Sequence, residues 1–148
     1  MSKKEHGTSH RAVQKNLKYG CDVETADRIC SYNRKYTEFI GYAFLYPRNW
    51  ASSLNYFWNP EVTYYDSVTG KPLFIAPRGR TTEQFVKESK VHGWPSFRDE
   101  EVVWENVRCL KNGETVSLDG THLGFNKPDD SGNRYSINLV CIAGNPIE

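Results

Sequence analysis

The dipeptide Asn112-Gly113 constrains the fold of this chain more than any other short feature. It joins residues 102–110 to residues 115–118, two runs rich in valine and other strand-forming residues. An Asn-Gly pair between two such runs is the strongest local signal for a tight β-hairpin, because both residues tolerate the left-handed backbone of the turn. The sequence therefore predicts antiparallel β-structure in the second half of the chain.

A second hairpin and a short helix are predicted just before this region. Residues 62–65 and 73–75 are strand-like and flank a turn, which predicts two further antiparallel strands. Thr81 followed by Gln84 matches a capping box at the start of a helix, and Gly93 would end that helix. These signals indicate an α+β domain that consists mainly of antiparallel β-sheet.

The first part of the chain has a different character. Asp22 can cap an amphipathic helix over residues 23–38, and residues 42–58 are aromatic and irregular, with Pro47 interrupting any regular element. We expect the helix to dock on the sheet and the aromatic segment to cover part of the core. The predicted organisation is a flexible basic tail (1–20), an N-terminal helix with an aromatic cover segment (21–60), and a β domain (61–148).

Composition excludes several classes of function. The 148 residues suit one domain, and 19 basic against 18 acidic side chains argue against binding driven by charge to nucleic acid or anionic membranes. No apolar run approaches the roughly 20 residues that span a bilayer, and the N-terminus lacks the apolar core of a secretory signal. We expect a monomer in the cytoplasm or an organelle matrix. The four cysteines, which form no C-x-x-C pair, are expected to be reduced and mostly buried.

Residues 134–139 carry the clearest strand alternation in the chain. A period of two places alternate side chains on opposite faces, so that three polar residues share one face and three apolar residues share the other. The polar face is either solvent surface or the wall of a site. The polar face consists of Arg134, Ser136 and Asn138, and the apolar face consists of Tyr135, Ile137 and Leu139.

Three segments in this order resemble the type B methionine sulfoxide reductases, which repair the R epimer of methionine sulfoxide in peptides and proteins. They are residues 93–97 (Gly-Trp-Pro-Ser-Phe), 122–124 (His-Leu-Gly) and 134–138 (Arg-Tyr-Ser-Ile-Asn), and the likeness extends over about residues 62–143. The resemblance implies the Mss4-like β fold of that family. It also implies no bound cofactor and an external thiol reductant, with thioredoxin as a possible partner.

The family's chemistry assigns roles to six positions. A thiolate attacks the sulfoxide sulfur, which becomes electrophilic when its oxygen is hydrogen-bonded, and the resulting sulfenic acid is then reduced by another thiol. The resemblance implies that Trp94 and Phe125 contact the substrate, that His122 and Asn138 assist the oxygen or a bound water, and that Arg134 lowers the pKa of the nucleophile, whose position is held by Ser136.

Two departures fall on this chemistry. Ser136 stands where the family has its nucleophilic cysteine, and Phe125 stands where it has a second histidine. A serine hydroxyl is much harder to ionise than a thiol, and oxygen has no sulfenic-acid step. Two other cysteines are possible substitutes: Cys141 would face away from Ser136 in a regular strand, and the orientation of Cys109 is open.

The positions of the family's two zinc-binding cysteine pairs also differ. They fall on Asp66 with Thr69 and on Val116 with Asp119, which do not make a tetrahedral cysteine site, so we predict no bound zinc. We therefore expect a protein that binds methionine-R-sulfoxide and is impaired in reducing it. The alternative is a non-enzymatic interaction module that uses residues 42–60 as its contact surface. A serine hydrolase is disfavoured, since no strand-turn-helix elbow surrounds Ser136.

Overall fold

The computed structural model of the protein describes residues 11–31 and 37–146. The described chain is α+β with mostly antiparallel sheet, as the hairpin signals predict. None of its helices is long and apolar enough to cross a membrane. The elements are α1 (Val23–Ser31), β1 (Val62–Tyr65), β2 (Pro72–Ala76), α2 (Thr82–His92), β3 (Ser96–Phe97), β4 (Val107–Cys109), β5 (Glu114–Ser117), β6 (His122–Asn126) and β7 (Tyr135–Ile137).

Both predicted hairpins are confirmed. Strands β1 and β2 pair as one antiparallel sheet, and the others form a five-stranded antiparallel sheet in the order β3-β7-β6-β5-β4. Gly113 has φ +92°, the positive value that the tight turn between β4 and β5 requires. The predicted strand over residues 102–110 is shorter in the structure, because Val102 forms an isolated bridge to Phe74 and the chain then turns before β4.

The helix ends follow the predicted capping chemistry. Thr81 Oγ1 accepts a hydrogen bond from Gln84 N (3.1 Å), and Gln84 Oε1 accepts one from Thr81 N (2.8 Å). Gly93 ends α2 with φ +85°. Helix α1 is a correction to the prediction over residues 23–38: residues 32–36 lie outside the described chain, and the structure is no longer helical at residues 37 and 38.

An aromatic cluster forms the centre of the core. Phe74 and Phe97 stack at 4.3 Å between ring centroids, and Trp50 packs edge-on against Phe85 at 5.4 Å. Trp50 lies in the 42–58 segment, which forms two 3-10 helices (Tyr42–Phe44 and Trp50–Ser53) instead of irregular chain. The segment therefore covers the core by inserting a fully buried indole into it.

The predicted tail, residues 1–20, divides into two parts. Residues 1–10 lie outside the described chain, whereas residues 11–20 pack against the β domain. Gln14 N donates to Ser67 O (2.8 Å), Lys18 N donates to Ala143 O (2.7 Å), and Val13 is buried. The described part of the segment is thus held by backbone hydrogen bonds.

The last strand ends earlier than its sequence pattern predicts. Strand β7 stops at Ile137, and Leu139–Cys141 form a 3-10 helix. Asn138 makes the corner, since its backbone N and its side-chain Nδ2 both donate to Leu123 O. The corner turns the following residues into the core and ends the alternation of faces.

Candidate functional site

A cavity of about 210 Å³ lies where β6 and β7 meet Trp94, which is in the turn between α2 and β3. It combines two aromatic side chains with several polar groups. Five of the six site residues predicted from the sequence line it, and Arg134 does not. The lining residues are Thr37, Trp94, His122, Gly124, Phe125, Lys127, Ser136 and Asn138.

Strand pairing places Ser136 beside Phe125. The two residues are partners in the β6–β7 register, and Gly124 is paired with Ile137. A Cβ atom at position 124 would lie 2.0 Å from the Ser136 carbonyl oxygen, so a side chain there would force the strands apart. The close approach at Gly124 therefore keeps Ser136, which is partly exposed, at the cavity.

His122 reaches the same cavity through an irregularity in β6. The β5–β6 register shifts by one residue between Thr115 and Val116, and such a bulge redirects neighbouring side chains. His122 and Phe125 consequently contact each other, with ring centroids 5.6 Å apart. Behind the cavity, His122 Nδ1 lies 2.9 Å from Oε2 of Glu114, and this contact between two buried side chains orients the imidazole.

Asn138 is held by hydrogen bonds from a distant part of the chain. Its Oδ1 accepts from Thr37 Oγ1 (2.8 Å) and from Glu38 N (3.0 Å), and its Nδ2 donates to Leu123 O (3.0 Å). Trp94 Nε1 donates to Glu38 O (3.1 Å), so the same short segment also holds the indole. Residues 37 and 38 thus connect the amide and aromatic sides of the cavity.

The Glu38 carboxyl lies beneath this arrangement. Its Oε1 accepts a hydrogen bond from Val140 N (3.1 Å), and the residue is only 2% exposed. Burial raises the pKa of this carboxyl to about 8. Sequence reasoning missed residues 37 and 38 because it assigned both to the end of a helix, and their hydrogen-bonding partner Asn138 is 100 or more positions away.

Arg134 occupies a place different from its predicted one. Its Nη1 donates to Ser96 Oγ (3.1 Å), and Ser96 Oγ in turn donates to Trp94 O (3.0 Å). The guanidinium, whose pKa is lowered by burial, therefore supports the turn that carries the indole. Arg134 forms no ion pair with the nearby carboxylates of Asp129 and Asp130 within the described chain, and Asp129 pairs with Arg98 at 3.0 Å.

The described residues that line the cavity include no cysteine. Cys141 lies with its Sγ 2.8 Å from Cys30 Sγ, and both thiols are fully buried between α1 and the last 3-10 helix. Burial raises the pKa of Cys141 well above its ordinary value, which disfavours the reactive thiolate. Cys109 lies on β4, three strands away from β7 in the sheet.

The positions that correspond to the family's zinc ligands form a different set of contacts. Asp66 Oδ1 accepts from Val68 N (2.8 Å), and Thr121 Oγ1 donates to the same carboxylate (2.9 Å). Lys71 pairs with Asp119 at 3.1 Å. Within residues 11–31 and 37–146, no group of three or more His, Cys, Asp or Glu side chains could hold a metal ion.

The cavity can therefore hold a small ligand that has one apolar and one polar end. Trp94 and Phe125 supply apolar surface, while Ser136 and Asn138 supply hydroxyl and amide groups close to it. Lys127, which sequence reasoning also missed, adds an ammonium group. Comparison with protein-family models finds no matching family, and comparison with curated proteins finds no match.

Proposed function

We propose that this cavity binds the R epimer of the methionine sulfoxide side chain in peptides and proteins without reducing it, on an Mss4-like β scaffold. The observation that carries the proposal is the convergence of three separate segments on one cavity. Residues 93–97, 122–124 and 134–138, which resemble the type B reductases in sequence, each contribute to its lining. At its edge, Ser136 holds the position that the resemblance assigns to the nucleophile.

The chemistry of the lining suits a sulfoxide. The S-methyl group is apolar and polarisable, and it packs favourably against aromatic rings such as those of Trp94 and Phe125. The sulfoxide oxygen is a strong hydrogen-bond acceptor, and the Ser136 hydroxyl can donate to it. Unoxidised methionine offers no such acceptor, so binding it would leave polar groups of the cavity unsatisfied.

Reduction requires a group that the cavity lacks. The oxygen is removed only if a nucleophile forms a bond to sulfur and then takes up the two-electron oxidation, which a cysteine does by becoming a sulfenic acid. Ser136 has no equivalent step, and Cys141 is buried against Cys30. A bound methionine sulfoxide is therefore released unchanged, and the protein acts as a binding protein for oxidised methionine.

Titration with matched peptides tests this proposal. One peptide sequence is prepared with methionine R-sulfoxide, methionine S-sulfoxide or methionine, and binding is followed by calorimetry. We expect the R epimer to bind roughly tenfold or more tightly than methionine, because a missing hydrogen bond leaves a polar group unpaired. Equal affinity for all three peptides, or no binding of any, would refute the proposal.

Two serine variants locate the binding site. Ser136→Ala removes the hydroxyl in the cavity, and we expect it to weaken R-sulfoxide binding about fivefold to tenfold through loss of one hydrogen bond. Ser131→Ala removes a hydroxyl from the exposed loop between β6 and β7, outside the cavity lining, and serves as the matched control. The two variants should differ in affinity but not in thermal unfolding.

One observation favours the alternative of a protein-interaction module. Phe57 and Trp58 are 91% and 82% exposed, and large exposed aromatic groups are typical of association surfaces. A Phe57→Gln, Trp58→Gln variant separates the two functions. If sulfoxide binding by the cavity is the function, this variant retains the peptide affinities; if they fall, the aromatic segment contributes to the same ligand.

A further inference from the structure

Among the described residues that line the cavity, Lys127 supplies an ammonium group. It directly follows β6, and its backbone N donates to Arg134 O (2.6 Å), which holds this residue beside the start of β7. Its ammonium group lies 5.6 Å from the centroid of the Phe125 ring. The side chain is exposed and lines the cavity, so the charge is accessible to a ligand that contacts Phe125.

Some other cations of the β domain are engaged with carboxylates. Arg98 pairs with Glu88 and Asp129, and Lys71 pairs with Asp119. Lys127 forms no ion pair with any residue of the described ranges 11–31 and 37–146, which is also true of surface lysines such as Lys111, but Lys127 differs from them in lining the cavity. Among the described residues, the lining of the cavity includes no carboxylate that would neutralise it.

A full positive charge exceeds what a methionine sulfoxide side chain requires. The sulfoxide group is neutral overall, and Trp94, Phe125 and Ser136 already match its apolar and polar ends. An ammonium pairs most strongly with an anion, so the group that best matches Lys127 is an anion on another part of the ligand. In a polypeptide or an amino acid, the anion close to a methionine sulfoxide side chain is a carboxylate.

We propose that Lys127 selects ligands in which a carboxylate lies next to the methionine sulfoxide. This inference rests on the proposed function and names the ligands that the cavity prefers. The carboxylate has two sources: an Asp or Glu side chain beside the oxidised residue in a peptide, or the α-carboxylate of a free or C-terminal methionine sulfoxide. Because Lys127 is exposed, the pair it forms is screened by salt and gives a preference of roughly threefold to tenfold.

Four ligands test the inference. N-acetyl-methionine sulfoxide methylamide has no carboxylate, and N-acetyl-methionine sulfoxide has the α-carboxylate. Two capped tripeptides, Gly-Met(O)-Asp and Gly-Met(O)-Asn, differ only in the charge of the neighbouring side chain. Each is titrated at low salt and in 0.5 M NaCl. We expect the unmodified protein to prefer at least one carboxylate-bearing ligand over its neutral counterpart, and we expect salt to reduce that preference.

Variants of two lysines complete the experiment. Lys127→Met keeps an unbranched apolar chain near Phe125 but removes the charge, and Lys127→Glu reverses the charge. We expect the first to abolish the preference and the second to invert it, where the preference is the ratio of the affinities that one variant shows for the carboxylate-bearing and the neutral ligand of a pair. Lys111→Met, at the exposed turn between β4 and β5 and outside the cavity lining, is the matched control and should keep the preference.

The outcomes distinguish the inference from the proposed function. If the methylamide and all other ligands fail to bind, both are wrong. If the methylamide binds but acidic and neutral ligands bind equally, or Lys127→Met retains the preference, the inference about Lys127 is wrong and the proposed function stands. A preference confined to the tripeptide pair identifies an acidic neighbour as the source, and one confined to the N-acetyl pair identifies the α-carboxylate.

Discussion

The cavity and the buried thiol pair are neighbours in sequence and opposites in chemistry. Ser136 and Cys141 are five positions apart, yet Ser136 is partly exposed in a cavity and Cys141 is fully buried against Cys30. The described residues that line the cavity are mostly polar and aromatic and include no sulfur, whereas the two thiols are fully buried. Under the proposed function, binding and reduction of one substrate would depend on separate features of the fold, and this chain would keep the first without the second.

The corner at Asn138 separates the two regions. Strand β7 ends at Ile137, and the following 3-10 helix turns Cys141 into the core. The Glu38 carboxyl stabilises this helix by accepting a hydrogen bond from Val140 N. The backbone N of Glu38 donates to Asn138 Oδ1 on the cavity side. The backbone corner, together with one buried carboxyl, therefore stands between the cavity and the nearest thiols.

The largest effect is expected from placing sulfur in the cavity. Ser136→Cys combined with Phe125→His restores the two groups that the reductase resemblance requires. We expect reduction of a dabsylated methionine R-sulfoxide, with dithiothreitol as reductant, to rise about 100-fold or more over the unmodified chain, because the new thiolate can take up the oxidation. Product formation is measured by chromatography.

Two results would contradict the distinction between the cavity and the buried thiol pair. If the double variant is folded but inert, the assignment of the cavity as the sulfoxide site is wrong. If the unmodified chain already reduces the substrate and Cys141→Ala abolishes that activity, the buried thiol reaches the cavity and the separation does not hold. Ser136→Cys alone serves as the intermediate control, since it supplies the nucleophile without the histidine.

A smaller effect is expected from titration of the Glu38 carboxyl, which lies between the cavity and the thiol pair. Burial raises the native-state pKa of Glu38 from 4.5 to about 8, so the fold favours its protonated form. The native state therefore binds more protons than the unfolded state between these values, and the free energy of unfolding falls as pH rises from about 4.5 to 8. Below this window the stabilisation is fully present, and above it the stabilisation is lost.

Glu38→Gln isolates this contribution from those of other carboxyl groups. The amide keeps an acceptor for Val140 N–H but does not titrate. Relative to the variant, the unmodified protein should lose on the order of 3 kcal/mol of unfolding free energy between pH 5 and pH 8, measured by urea denaturation. If the free energy of unfolding changes with pH equally in both proteins, Glu38 ionises normally and the corner at Asn138 does not depend on protonation of this carboxyl.

Local signals predicted much of the fold, and they did so where a short segment determines its own conformation. The Asn112-Gly113 turn and the Thr81–Gln84 capping box are of this kind. The alternation around Ser136 also predicted which side chains share the cavity, except at Arg134. The Arg134 side chain does not line the cavity because its guanidinium donates a buried hydrogen bond to Ser96 on the neighbouring strand.

Other parts of the site depend on contacts that no local pattern contains. Thr37 and Glu38 contact Asn138 across about two thirds of the sequence, and their polar side chains are typical of an ordinary helix end. His122 and Phe125 share the cavity only because the β5–β6 register shifts. A regular strand would have placed these two side chains on opposite faces, so periodicity alone cannot predict their contact.

The smallest effect is expected from removing sulfur from the buried pair. Cys141→Ala leaves a small void beside Cys30, and we expect it to lower the free energy of unfolding by about 1–2 kcal/mol. Affinity for the R-sulfoxide peptide should change less than twofold, because the cavity lining does not include Cys141. The matched control is Cys109→Ala on β4, where a partly exposed side chain should cost about 0.5 kcal/mol or less. A loss of sulfoxide affinity confined to Cys141→Ala would mean that packing beneath the Asn138 corner sets the shape of the cavity, and the two regions would then act as one.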